Sequence, residues 1–368
     1  MTIFTKCTKW HEQLVAAGGR FSDSDPTGSP LDFGNPRAEY DAARAAVALA
    51  DRSRLTKIEL RGADRAKFLH NLCTNDVKGL APGDGCEAFI TNAHGKILAF
   101  VRIFACADSL WLDTVPGVAD FLMKHFDRYH FAEKVELFDR SADWSQLLLI
   151  GPRSDAVVAS LGGSTATPDR DLRVSQTALA GVPCQLIASR QLDLTSYELR
   201  LASTDAASLL KQLVAAGQAE GLRLIGEQAL DVLRVEAGLP VYGVDITDTN
   251  LPQEVSRDRR AISFTKGCYL GQETVARIDA LGHVNRHLVG LKMTGTSVAP
   301  ERGAAVTRDA TVVGHITSAV VSPAPQSVLA LGYVRRGQHT PGTEVSVDVA
   351  GSPQPAVVHS LPFQLGPT

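Results

Sequence analysis

Nothing in the chain approaches the run of about 18 consecutive apolar residues that a membrane-spanning helix needs. The opening Met1-Thr2-Ile3-Phe4-Thr5-Lys6 has neither the basic nor the apolar region of a secretory signal. It also lacks the Arg- and Ser-rich, acid-free character of an organelle transit peptide. Cysteine is sparse, with Cys7, Cys73, Cys86, Cys106, Cys184 and Cys268 scattered and no CxxC pair among them. That argues against a disulfide framework and against a Cys-rich zinc site. The expectation is a reduced, cytoplasmic protein with no membrane association and no bound metal. Neither charge dominates: 37 Lys and Arg face 40 Asp and Glu, a net charge of −3. A dedicated nucleic-acid binder, which carries a strongly basic face, is therefore not expected.

What is present is ordinary globular material, 44% hydrophobic and 21% charged over 368 residues. Such a length predicts two or three domains at roughly 100–200 residues each. The first forty residues are turn-rich around Asp23-Ser24-Asp25-Pro26-Thr27-Gly28-Ser29-Pro30 and read as loop. An Ala-rich run then predicts a helix over 39–51, a strand follows at 55–60, and Gly62-Ala63-Asp64 opens another helix. Strand signals dominate 86–91, 97–106, 110–115, 135–138 and 146–150, with a helix at 118–128 among them. Further helices are expected at 155–161, 205–216 and 226–236, and strands at 183–188 and 197–201. Gly238 with Pro240 behind it marks a helix stop. From His287 onward, short strands and Gly/Pro turns predict a separate β-module. The fold class is α+β followed by all-β.

Several standard sites fail on inspection. Gly95-Lys96 resembles the end of a phosphate-cradling loop, but Ile90 stands where its first glycine belongs and Ile97 where its hydroxyl belongs. No GxGxxG follows a strand, and no GxSxG elbow exists. His283 and His287 have metal-clamping spacing only on a helix, and Gly282, Val284 and Asn285 suggest a loop entering a strand.

The informative segment is Phe264-Thr265-Lys266-Gly267-Cys268-Tyr269-Leu270-Gly271-Gln272-Glu273-Thr274-Val275-Ala276-Arg277. It sets a thiol between two glycines, which permit backbone conformations that a side chain forbids. Lys266 is a cation placed to favour a Cys268 thiolate. Gln272 and Glu273 offer hydrogen-bonding groups at the start of a helix. The alternative is a buried cysteine filling a turn beside a solvated lysine.

Lys-Gly-Cys-Tyr-x-Gly-Gln-Glu at 266–273 resembles the signature of the YgfZ-type folate-binding proteins, relatives of the glycine-cleavage T-protein that assist maturation or repair of iron–sulfur enzymes. Leu233-Arg234-Val235-Glu236-Ala237-Gly238 with Tyr242-Gly243-Val244-Asp245-Ile246 is similar to a passage shared by the T-protein superfamily. Asn71-Leu72-Cys73-Thr74-Asn75-Asp76-Val77 and Val313-Gly314-His315-Ile316-Thr317-Ser318 are similar to others. The resemblance implies three modules around a central hole that holds folate. These are a discontinuous first domain over 1–55 and 146–235, a second over 56–145 and 236–282 carrying the cysteine loop, and a C-terminal β-barrel over 283–368.

It also implies roles for particular residues. Arg234 and Glu198 match positions that contact the folate, Asn92 and Gln272 are further polar contacts, and Cys268 with Lys266 forms the reactive pair. The ligand is tetrahydrofolate or a derivative, and the partners are iron–sulfur enzymes or cluster-assembly proteins. In the aminomethyltransferases an aspartate in a Gly-Gly-Ile-x-Asp-Asp strand works beside the folate nitrogens. The matching stretch here is Gly95-Lys96-Ile97-Leu98-Ala99-Phe100, so Ala99 and Phe100 replace both acids. Losing a positioned acid–base group costs roughly 10²–10⁴-fold in rate, which counts against aminomethyl transfer. The expected function is thus a folate-binding accessory protein. A diverged aminomethyltransferase or demethylase is one alternative. The other is a non-catalytic scaffold offering basic clusters at Arg257 to Arg260 and at Arg335-Arg336.

Overall fold

The Ala-rich segment after Pro36 shows tertiary pairing overriding local propensity. In the computed structural model, which describes residues 11–26, 28–164 and 171–365, the helix Pro36–Ala45 begins as its sequence dictates. Asn35 Oδ1 accepts from the Ala38 amide at 3.0 Å, with proline in the first turn. The expected continuation to residue 51 does not occur. Ala48–Asp51 is instead a buried strand, antiparallel to Trp144–Ile150 and parallel to Arg223–Leu224. Alanine's helix preference is below about 1 kcal/mol per residue, and burial with two-sided ladder bonding outweighs it. Residues 11–16, read as loop, form the helix His11–Ala16, which buries Leu14. Arg173–Leu179, whose apolar alternation is weak, is a strand because Val182–Ser189 pairs with it. The other elements with an expected range fall within about two residues of it, the ordinary spread of helix and strand ends, while strand Arg223–Leu224, the 3-10 turn Pro252–Val255 and the short helix Asp258–Ala261 carry no such expectation. Residues 1–6 and Cys7 lie outside the described residues.

Contacts divide the chain into two units. One comprises Met1–Leu69, Val77–Cys86 and Arg102–Leu230, the other His70–Asp76, Glu87–Val101 and Asp231–Thr368.

In the first unit a six-stranded sheet runs in the order 223–224, 48–51, 144–150, 196–202, 182–189, 173–179. Strand Ser196–Ala202 alternates with period two. Tyr197, Leu199 and Leu201 enter an apolar core with Leu147, Leu149 and the stripe Leu209, Leu210 and Leu213 of helix Ala206–Gly217. Its other face turns Glu198 and Arg200 inward beside Gln146 and Gln185, all buried. Arg102 and Phe104 of strand Ile97–Ala105, with Trp111 and Asp113 of strand Ser109–Thr114, meet that polar face. These two strands belong to a five-stranded sheet of order 85–91, 97–105, 109–114, 56–61, 136–139.

The second unit contains the closed six-stranded barrel expected at the C-terminus, ordered 286–293, 327–335, 311–322, 305–308, 344–349, 352–359. Val289, Leu291, Val306, Val328 and Val347 fill it. His287 sits on strand Arg286–Met293 and stacks on His339 with ring centroids 4.1 Å apart. Its i, i+4 relation to His283 therefore has no helical meaning. Among the described residues no group of three or more His, Cys, Asp or Glu is arranged to hold a metal. No helix among them is long and apolar enough to cross a membrane.

Candidate functional site

The cysteine loop is built by the second unit alone. Helix Gln272–Leu281 starts after Gly271, whose φ of +83° is the left-handed conformation that glycine adopts without steric cost. A Cβ there would sit 2.4 Å from the Asn92 carbonyl oxygen, so only glycine lets the loop pack against the 92–95 turn. Asn92 shapes that turn, its Oδ1 accepting from the amides of His94 at 2.9 Å and Lys96 at 3.0 Å. Thr91 Oγ1 donates to the Leu270 carbonyl at 2.6 Å, and the Tyr269 amide donates to Gln272 Oε1 at 3.1 Å. Asn92 thus shapes the turn, and Gln272, the first residue of the helix, ties back to the loop.

On the other side, Lys266 Nζ donates to the carbonyls of His70 at 2.5 Å, Cys73 at 2.7 Å and Asn75 at 3.0 Å. It also lies 4.7 Å from the Tyr269 ring centroid. The ammonium clasps the 70–75 segment, a placement that spacing alone did not reveal. Tyr269 is buried, and Cys268 between these anchors is exposed. Of the two glycines only Gly271 has positive φ.

Strand 97–105 carries Ala99 fully buried, while Phe100 packs on Phe89 with centroids 5.2 Å apart. Arg257 lies 5.7 Å from the Phe100 ring and pairs with the buried Glu87 at 2.5 Å, and Arg260 joins Glu87 at 3.1 Å. This basic cluster is therefore partly spent on an internal carboxylate, whereas Arg335 and Arg336 are exposed.

Arg234, on helix Glu227–Glu236, is fully engaged in ion pairs and hydrogen bonds. Its Nε donates to Asp231 at 2.6 Å, Nη1 to Asp245 at 2.9 Å and Nη2 to Ser318 Oγ at 2.8 Å. Asp245 Oδ1 in turn accepts from Thr317 at 2.6 Å and Ser318 at 2.7 Å. The guanidinium ties the helix to the barrel strand Thr311–Ser322 through charge-assisted bonds.

Glu198 sits in the first unit at the centre of a buried polar cluster. Arg102 grips it in bidentate fashion, Nη1 on Oε1 and Nη2 on Oε2, the latter at 2.8 Å. Gln146 Nε2 also donates to Oε2. Burial pushes the carboxyl up, but the Arg102 charge and these hydrogen bonds outweigh it and hold Glu198 at about 2. Asp113 Oδ2 accepts from Arg200 Nη2 at 2.5 Å, from Gln146 Nε2 at 3.3 Å and from Arg102 Nη2 at 3.4 Å. Arg200 is fully buried between the rings of Trp111 and Phe104, at 4.9 and 5.2 Å. Two acceptors, Asp113 Oδ1 and Gln146 Oε1, are buried with no hydrogen-bond partner among the described residues. Asp113, Gln146 and Arg200 escaped the sequence reading, as did the pairing of Arg102 with Glu198. The available signal was polar residues at alternate positions of apolar strands, as in Tyr197-Glu198-Leu199-Arg200.

Two family profiles match in tandem: the GCVT N-terminal domain over residues 10–266 and the glycine cleavage T-protein C-terminal barrel domain over 286–364. A protein of Symbiobacterium thermophilum named aminomethyltransferase is 29% identical, the match covering 98% of each chain. A probable aminomethyltransferase of Natronomonas pharaonis is 30% identical over 94% of this chain and 96% of its own. In structure the chain is similar to the glycine cleavage system aminomethyltransferase T from Bartonella henselae. There the TM-score is 0.87, with 24% identity over 96% of each chain, a likeness of fold.

Proposed function

The chain belongs to the glycine cleavage T-protein family, and from that premise we propose that it binds tetrahydrofolate and acts as a YgfZ-like accessory protein for iron–sulfur enzymes. The observation that carries this reading is the loop: an exposed Cys268 held between the Lys266 clasp and the 92–95 turn. An exposed thiol suits a partner protein's surface better than an internal catalytic role. Strand 97–105 supports the same choice, since Ala99 and Phe100 have no proton to give or take.

The residues present fit a pteridine. Its 2-amino and N3 groups are a pair of N–H donors, and the Glu198 cluster is acceptor-rich, with Asp113 Oδ1 and Gln146 Oε1 unmet. Bound tetrahydrofolate supplies ring nitrogens that carry a one-carbon unit. On this reading Glu198 orients the ring, while Arg234 fixes the barrel to its helix and contributes to folate indirectly. Asn92, Gln272 and Lys266 shape the cysteine loop, and the working compartment is the cytoplasm.

The test replaces Cys268 with Ala in cells that depend on this chain. Activity of a cluster-dependent enzyme is expected to fall while calorimetric tetrahydrofolate affinity stays unchanged. Undiminished activity would sink the accessory role. A second reading, a diverged aminomethyltransferase, is favoured by the names and near-complete overlap of the relatives. Formation of methylenetetrahydrofolate from a methylamine donor, above a no-protein control, would establish it instead.

A further inference from the structure

We infer that Arg102 is a specificity-determining gate on Glu198, its guanidinium occupying both carboxylate oxygens until a ligand with the same two-donor edge displaces it toward Asp113. This rests on the reading of Glu198 as the carboxylate that holds the pteridine. The guanidinium donates through Nη1 and Nη2 to Oε1 and Oε2. A 2-amino-4-oxopteridine presents N–H donors from its 2-amino group and N3 with the same parallel spacing. The two forks therefore compete for the same lone pairs. Gln146 already fills a further position on Oε2, so an incoming ring cannot dock beside Arg102 and must replace it.

The displaced guanidinium has a place to go. Its Nη2 is already 3.4 Å from Asp113 Oδ2, and its Nη1 is 3.3 Å from Gln191 Oε1. Asp113 Oδ1 is buried without a hydrogen-bond partner among the described residues. An unmet carboxylate oxygen in a low-dielectric site is costly, and a short swing of Arg102 satisfies it. Arg200 holds the other Asp113 oxygen in place at 2.5 Å, so the receiving group is rigid. Ligands lacking the two-donor edge cannot match Arg102 on Glu198 and leave the gate closed.

The experiment is anaerobic calorimetry of tetrahydrofolate on the wild-type chain, Arg102→Leu and Arg102→Lys, with a thermal melt of each. Arg102→Leu is expected to bind about tenfold tighter, as it would if the open form were about a tenth of the population. Arg102→Lys, whose single ammonium cannot span both oxygens, is expected to fall between. It carries the test if the leucine variant does not fold. Lumazine, with a carbonyl in place of the 2-amino group, is expected to gain nothing from either substitution. Wild-type binding with equal or weaker affinity in a folded Arg102 variant overturns the gate and leaves the folate reading standing. Equal gains for lumazine overturn its role in specificity. No binding by wild type or variants overturns the folate reading and the gate with it.

Discussion

Glu198 shows how far one side chain's meaning depends on its neighbours. In the sequence it is one acid in a strand, whereas in the fold Arg102 and Gln146 hold it ionised against the upward push of burial. Its folded pKa is depressed, so its contribution to stability is present above the unfolded value and lost as pH falls toward about 2. Glu198→Gln leaves the Arg102 charge without its bidentate partner. It is expected to cost about 3 kcal/mol, read from urea unfolding midpoints at pH 7. Asp258 behaves in the opposite sense, since burial and the nearby Asp279 raise it to about 6. Its folded pKa lies above the unfolded value of 3.8, so the native state is favoured at low pH and that advantage disappears as pH rises through about 6. Because the carboxyl is partly solvated, Asp258→Asn is expected to stabilise by only about 1 kcal/mol at pH 8 and by almost nothing at pH 3, below the unfolded value. Paired urea titrations at the two values decide it.

At the scale of elements, the cysteine loop depends on two anchors of different kinds. Gly271→Ala meets both a left-handed φ and the Asn92 carbonyl at 2.4 Å. The expected cost exceeds about 1 kcal/mol in urea unfolding. Lys266→Met removes three hydrogen bonds but no strain. Its signature is faster hydrogen exchange at the Leu270 amide, which donates to the Asn71 carbonyl at 2.9 Å. Unchanged exchange at that amide would mean that the Lys266 clasp does not hold the loop. Period-two alternation and glycine stops made most strands and helices legible, down to the helix end at Gly238. Two of the exceptions share one cause: Ala48–Asp51 and Arg173–Leu179 are strands because a distant neighbour pairs with them.

For the whole molecule, the near-balance of charge predicts weak, salt-insensitive contact with nucleic acid. The protein is expected to pass a phosphocellulose column at about 50 mM salt, where a basic nucleic-acid binder is retained. Sequence by itself determined the family, the α+β-then-barrel order and the loop of Lys266 to Glu273, because these are written in local patterns and contiguous motifs. Only the tertiary structure decided the work of each polar group. It turned Lys266 onto three carbonyls, Arg234 onto the Asp231, Asp245 and Ser318 side chains, and Arg102 onto Glu198. A charge buried away from water must find its partner wherever the fold brings one, and residues 102 and 198 lie 96 positions apart in the chain.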